Sequence, residues 1–178
     1  MSRLRLRAIV VALILAVAGI AGWLLLGGDD NGRSAPGPAA AVAASPARLH
    51  ALSGELGHDV FWAGSRSGVT YELTRTAKGK VFIRYLPSGV KVGDPRPDFL
   101  TVGTYPRPDA YSVVKRFSTM KDAVSRQIGS GGIAAYSSAA PKSVYVAYPD
   151  SDIQIEVYDP APGRAMRLVS SGQVEPIP

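Results

Sequence analysis

Residues 8–26 form a 19-residue run without a single charged side chain, and nothing else in the chain constrains its fold as strongly. A helix over that run reaches about 28 Å, close to the thickness of a bilayer's hydrocarbon core. Arg3, Arg5 and Arg7 precede the run, and no Lys or Arg lies in the six residues after it. That asymmetry predicts a basic cytoplasmic stub at 1–7, a transmembrane signal-anchor helix at 8–26, and everything beyond Gly27 outside the cytoplasm. Trp23 falls near the outer end, where an indole ring suits the interface. Ala18 and Gly22 form a small-xxx-small pair of the kind that helps helices associate. The competing reading is a cleavable signal peptide. The apolar run is longer than an ordinary signal h-region, and the best cleavage match, Ala41-Val42-Ala43, lies well past its end.

Residues 27–47 are rich in Gly, Pro, Ser and Ala and show no hydrophobic period. They read as a flexible linker with a span of about 25 Å. The remainder, 48–178, is large enough to bury its own core and is expected to be one extracytoplasmic α+β domain.

Composition narrows the function classes. The chain has 178 residues, a formal net charge of +6 and no cysteine. Disulfides, thiol nucleophiles and Cys-ligated metals are therefore excluded. From Arg48 onward, 16 basic residues face 12 acidic ones, a net of +4. Such an excess steers anionic partners such as headgroups or wall polymers. No Lys/Arg run is interleaved with aromatics, so no nucleic-acid partner is expected.

Within the domain, Ser45 and Pro46 suit the start of a helix carrying Leu49, Leu52 and Leu56 and ended by Gly57. A short strand follows at 60–62. Residues 69–74 and 81–86 alternate apolar and polar side chains around a link containing Ala77-Lys78-Gly79. A three-residue loop with glycine in the left-handed position sets Leu73 against Ile83, Tyr71 against Tyr85 and Glu72 against Arg84. A strand at 99–105 and a helix from Asp109 to about Met120 come next, the helix spaced by Tyr111, Val114, Phe117 and Met120. Strands are predicted at 124–128 and 133–136 around a Gly129–Gly132 turn. A second hairpin, 143–148 with 153–158, places Val146 opposite Ile155 and Val144 opposite Val157. A last helix carries Ala165, Leu168 and Val169 and stops at Gly172. A helix followed by strands and a hairpin thus occurs twice. This is what a duplicated α-plus-meander unit would give, and equally what an ordinary α+β domain gives.

No catalytic signature emerges. His58 has Asp59 beside it, yet the chain has no G-x-S-x-G elbow: Gly64–Gly68 holds Arg66 at the centre. His58 more simply orders the turn after the first helix. Glu72 and Glu156 lie mid-strand on polar faces and would make a glycosidase pair only if about 5–9 Å apart. A cross-strand ion pair with Arg84 explains Glu72 more simply. Asp150 and Asp152 at a hairpin tip lack the calcium-loop pattern, and the Gly129–Gly132 run lacks the P-loop ending. No metal or cofactor is expected.

Tyr145 and Tyr158 fall on polar strand faces beside Glu156 and Gln154. Exposed tyrosine with arginine and glutamate is the composition of a binding surface. The face so defined comprises Glu72, Arg84, Tyr145, Gln154 and Glu156, with Trp62 and Arg66 nearby. A second layer, such as the last helix, would equally cover it. The leading expectation is therefore a non-enzymatic, membrane-tethered module that binds an envelope protein or anionic wall polymer. The alternatives are an envelope hydrolase using Glu72, Glu156 or His58, and a structural subunit whose 8–26 helix is its interface.

The runs Thr70-Tyr71-Glu72-Leu73-Thr74, Arg84-Tyr85-Leu86-Pro87-Ser88-Gly89-Val90 and Glu156-Val157-Tyr158-Asp159-Pro160 resemble stretches in membrane-anchored proteins of high-GC Gram-positive bacteria. The resemblance spans residues 55–175. That group has no assigned activity, so the resemblance implies a location and no chemistry.

Overall fold

The computed structural model describes residues 40–178. The basic stub, the 8–26 run with Trp23, Ala18 and Gly22, and the linker up to residue 39 lie outside the described residues. Among those described, no helix is long and apolar enough to cross a membrane.

The two hairpins organise everything else. Strands β3 (Val69–Arg75) and β4 (Val81–Pro87) pair antiparallel in the expected register: Tyr71 with Tyr85, Glu72 with Arg84, Leu73 with Ile83. The loop closes through Thr76 N–H to the Lys80 carbonyl at 2.9 Å, and Gly79 takes φ 74°, which a side chain would strain. Strands β8 (Ser143–Ala147) and β9 (Ile153–Tyr158) likewise set Val144 against Val157 and Val146 against Ile155. The remaining strands of the sheet are β1 (Val42–Ala44), β5 (Thr101–Pro106), β6 (Ala123–Gln127) and β7 (Ile133–Ser137). Together they form an eight-stranded antiparallel sheet in the order β1-β3-β4-β5-β9-β8-β7-β6. Its centre is the non-sequential β5–β9 pair, with Val102 opposite Val157.

Two findings differ from the sequence reading. The linker is not unstructured to residue 47: Val42–Ala44 pair with Leu73, Glu72 and Tyr71 as an edge strand. Edge pairing needs only backbone groups on one side, so the Ala-rich segment shows no alternation that would announce it. The first helix is split at Ala51 into α1 (Pro46–His50) and α2 (Leu52–Leu56). Ser45 caps it as expected, accepting from the Arg48 N–H at 3.1 Å. Leu49 and Leu52 are fully buried.

Alternation gives the sheet two faces. On one lie Tyr71, Leu73, Ile83, Tyr85, Val102, Val144, Val146, Ile155 and Val157, the main core. It is covered by α1, α2, a short ribbon of β2 (Phe61–Trp62) paired with β10 (Glu175–Pro176), and the last helix α4 (Arg164–Ser170). The helix α3 (Ala110–Ser118) packs on the opposite face, placing Ala110, Val114 and Phe117 over Ile133, Ala135, Tyr145 and Ala147. The helices that open the two helix-and-hairpin stretches, α1–α2 and α3, lie on opposite faces of the sheet.

Candidate functional site

The polar strand face proposed from sequence is roofed. Glu72 is 1% exposed and Glu156 5%. Over β3 and β4 the roof is the chain between β4 and β5, fastened by Arg84. The Arg84 guanidinium donates to Glu72 Oε1 at 2.6 Å and to the carbonyls of Asp94 and Arg96 at 2.9 and 2.7 Å. Gly93 N–H donates to the second Glu72 oxygen at 2.5 Å, and Phe99 lies 5.0 Å beneath the guanidinium. Glu72 and Arg84 thus form the expected cross-strand pair, in a buried setting where their hydrogen bonds are used internally.

Over β8 and β9 the roof is α3. Tyr145 is buried edge-on against Phe117 at 5.8 Å, and its hydroxyl has no hydrogen-bond partner among the described residues. Glu156 accepts from the Tyr105 hydroxyl at 2.7 Å, and burial raises its carboxyl above the ordinary range. Gln154 is buried and accepts from Arg107 at 3.3 Å. Tyr158 is half-buried. The sequence reading left a covering layer open and named the last helix for it; the layers are α3 and the β4–β5 segment instead, because alternation reports which face is apolar, not which element covers the polar one. Trp62 is buried on the other face of the sheet, near Tyr71 and His50.

The hydrolase geometries are not assembled. Glu72 and Glu156 share a sheet face but sit three strand spacings apart, about 14 Å, too far for a carboxylate pair. His58 bonds through Nδ1 to the Asp59 carbonyl at 2.9 Å, ordering its own turn. Among the described residues no group of acidic or histidine side chains could hold a metal ion. Asp150 takes φ 58° in the second hairpin link, the turn role expected of it.

Of the seven predicted binding residues, Arg66 lines a cleft and the other six do not line that one. The cleft, of about 820 Å³, lies between the loop after β2 and the helix α4 with the segment that follows it. Arg66 stands on one wall; Arg164 and Arg167, with Ser171, stand on the other.

The Arg66 wall is held by two tyrosines of the core face. The Tyr85 hydroxyl accepts from Ala63 N–H at 2.7 Å and donates to the Gly64 carbonyl at 3.2 Å. The Tyr71 hydroxyl accepts from Arg66 N–H at 2.7 Å and donates to the Arg66 carbonyl at 3.3 Å. The two rings meet edge to face at 5.2 Å, so each steadies the other. Burial keeps the Tyr85 phenol protonated far beyond neutral pH, which preserves its donor role. The Arg66 guanidinium lies 5.4 Å from the Tyr85 ring, and its Nε donates to the Ala63 carbonyl at 3.4 Å. Its outer N–H groups have no hydrogen-bond partner among the described residues.

The opposite wall is a stripe on α4. Arg164, Arg167 and Ser171 follow at three- and four-residue steps, while Ala165, Leu168 and Val169 are buried against the sheet. Arg164 approaches the buried carboxylate of Asp159 at 3.4 Å. Arg167 has no ion-pair partner among the described residues. Glu175 is the single carboxylate in the lining. The stripe was readable as an arginine spacing in the sequence, but its partner Arg66 lies a hundred positions away, and only the tertiary fold joins them.

Three guanidiniums line this cleft, and a guanidinium is a fork-shaped donor whose geometry matches oxyanions through charge-assisted hydrogen bonds. The chain matches no protein-family model, no curated protein and no solved structure.

Proposed function

We propose that this protein is a membrane-tethered extracytoplasmic binding module, whose domain captures an anionic component of the cell envelope in the cleft of Arg66, Arg164 and Arg167. The convergence of three arginines from two distant segments, one wall braced by a tyrosine pair, is the observation that carries the reading. A preformed cationic cleft loses little conformational freedom on binding. Tethering behind an uncharged 8–26 run and a Pro/Ala/Gly-rich linker keeps the cleft near the membrane while letting it search.

The test is binding of a fluorescent anionic oligomer to the full-length protein in zwitterionic nanodiscs. Affinity should fall with added salt and fall further in the Arg66→Ala/Arg167→Ala double variant. Affinity equal to wild type in that variant would move the site elsewhere. Protease added to intact cells should digest the 48–178 domain; full protection would refute its placement outside the cytoplasm.

A further inference from the structure

Ala63 and Leu168 are the only apolar side chains larger than glycine in the cleft lining, and no aromatic ring is among it. Sites for lipid tails, apolar peptides or drug-like molecules are walled by hydrophobic and aromatic groups. Nucleic-acid strands are held by stacking of bases on aromatic rings. An aromatic wall of either kind is absent from this lining.

The charged groups narrow the ligand further. One planar carboxylate is satisfied by a single bidentate guanidinium, whereas three guanidiniums match the several oxygens of phosphate groups. Glu175 places a negative charge on the same lining, which disfavours densely spaced anions. Gln173 is steadied by donating from Nε2 to the Ser171 hydroxyl at 3.0 Å, and its amide carbonyl faces no other partner among the described residues. Gln173 and Glu175 together are acceptors suited to neutral hydroxyls between charges. A volume of about 820 Å³ exceeds what a single phosphate fills.

We infer that the cleft binds a hydroxyl-rich polymer linked by phosphodiesters, with Arg66, Arg164 and Arg167 on the phosphates and Gln173 and Glu175 on the hydroxylated units between them. This rests on the reading of the cleft as an anion site and names the anion.

Full-length protein in phosphatidylcholine nanodiscs is titrated with three probes: a poly(glycerol phosphate) oligomer, poly-glutamate of equal charge, and phosphatidylglycerol vesicles. The glycerol phosphate oligomer should bind, and poly-glutamate should bind about tenfold more weakly. Arg167→Ala, at an exposed position, should weaken the oligomer about tenfold, and Arg66→Lys, which keeps the charge but not the fork, by a smaller factor. Glu175→Gln should narrow the gap between the two polymers. Equal affinity for poly-glutamate overturns the phosphodiester assignment and leaves the anion cleft standing. Binding of none of the three probes overturns both. Binding to the vesicles alone assigns the phosphate to a lipid headgroup and overturns the polymer.

Discussion

Breaking the Glu72–Arg84 pair should unfasten the roof over β3 and β4. Glu72→Gln keeps the shape and the acceptor for Gly93, but leaves the Arg84 guanidinium, whose side chain is 11% exposed, without a counter-ion. Two carbonyls still accept from Arg84, so the cost lies at the lower end for a broken buried pair, about 3 kcal/mol. Arg84→Met is worse. It strands a carboxylate on a side chain 2% exposed and removes both carbonyl anchors, which sets the cost near the upper end, about 5 kcal/mol. The double variant Glu72→Met/Arg84→Met removes both charges and retains side-chain volume. It should lose the two carbonyl anchors and the acceptor of the Gly93 N–H, about 3 kcal/mol, and still be more stable than Arg84→Met. The assay is urea unfolding followed by Trp62 emission in a Trp23→Phe background, since the chain has two tryptophans. Hydrogen exchange at Gly93 should accelerate in both single variants. Single variants costing less than about 1 kcal/mol would mean that the pair is effectively solvated, and the argument from burial fails. A double variant no better than Arg84→Met would mean that anchoring, not charge pairing, carries the energy.

Three further outcomes follow from the same geometry. Tyr85→Phe leaves the buried N–H of Ala63 without its acceptor, and should cost about 1–3 kcal/mol in urea unfolding while weakening anion capture through a loosened Arg66 loop. Capture unchanged in that variant would show the loop needs no brace. The buried Glu156 carboxyl, raised from its ordinary 4.5, holds its proton in the folded state over a range where the unfolded chain has lost it. Its contribution therefore favours folding at and below about pH 4.5 and is lost as pH climbs through the raised value, so Glu156→Gln should flatten that fall; an unchanged pH profile of unfolding would refute it. Gly103→Ala would place a Cβ 2.8 Å from the Tyr105 ring, which crosses β5 to reach Glu156. A loss of about 1–3 kcal/mol is expected, largely relieved when Tyr105 is also changed to Ala; no relief would locate the clash elsewhere.

The hairpins were legible to the residue because three local signals agreed. Turn chemistry at Gly79, the apolar face of Tyr71, Leu73, Ile83 and Tyr85, and the charge pair Glu72–Arg84 all demand one register. Helix α3 was legible from its stripe of Val114 and Phe117. Three things were not. Strand β1 pairs through backbone groups that any sequence carries. The joining of β5 to β9 rather than to β6 depends on distant apolar faces, on which local periodicity is silent. The roof over Glu72 is made by a polar, proline-containing segment whose carbonyls, not side chains, receive Arg84. The cleft failed to show for a related reason: Arg66 reads as a loop arginine and Arg164–Arg167 as a solvated helix stripe until the fold brings them together.

The placement of β5 beside β9 sets an order of events during folding. As the chain is made, β3, β4 and β5 can associate early, but β5 keeps an open edge until the three intervening strands and β9 have followed. Closing that long loop is slow, and an unpaired edge invites association with other chains in the meantime. Helix α4 and strand β10, which complete the cleft, come later still. On the proposed reading, the anion cleft exists only once α4 and β10 have formed, so a chain cut before Arg164 should fold its sheet without gaining the cleft.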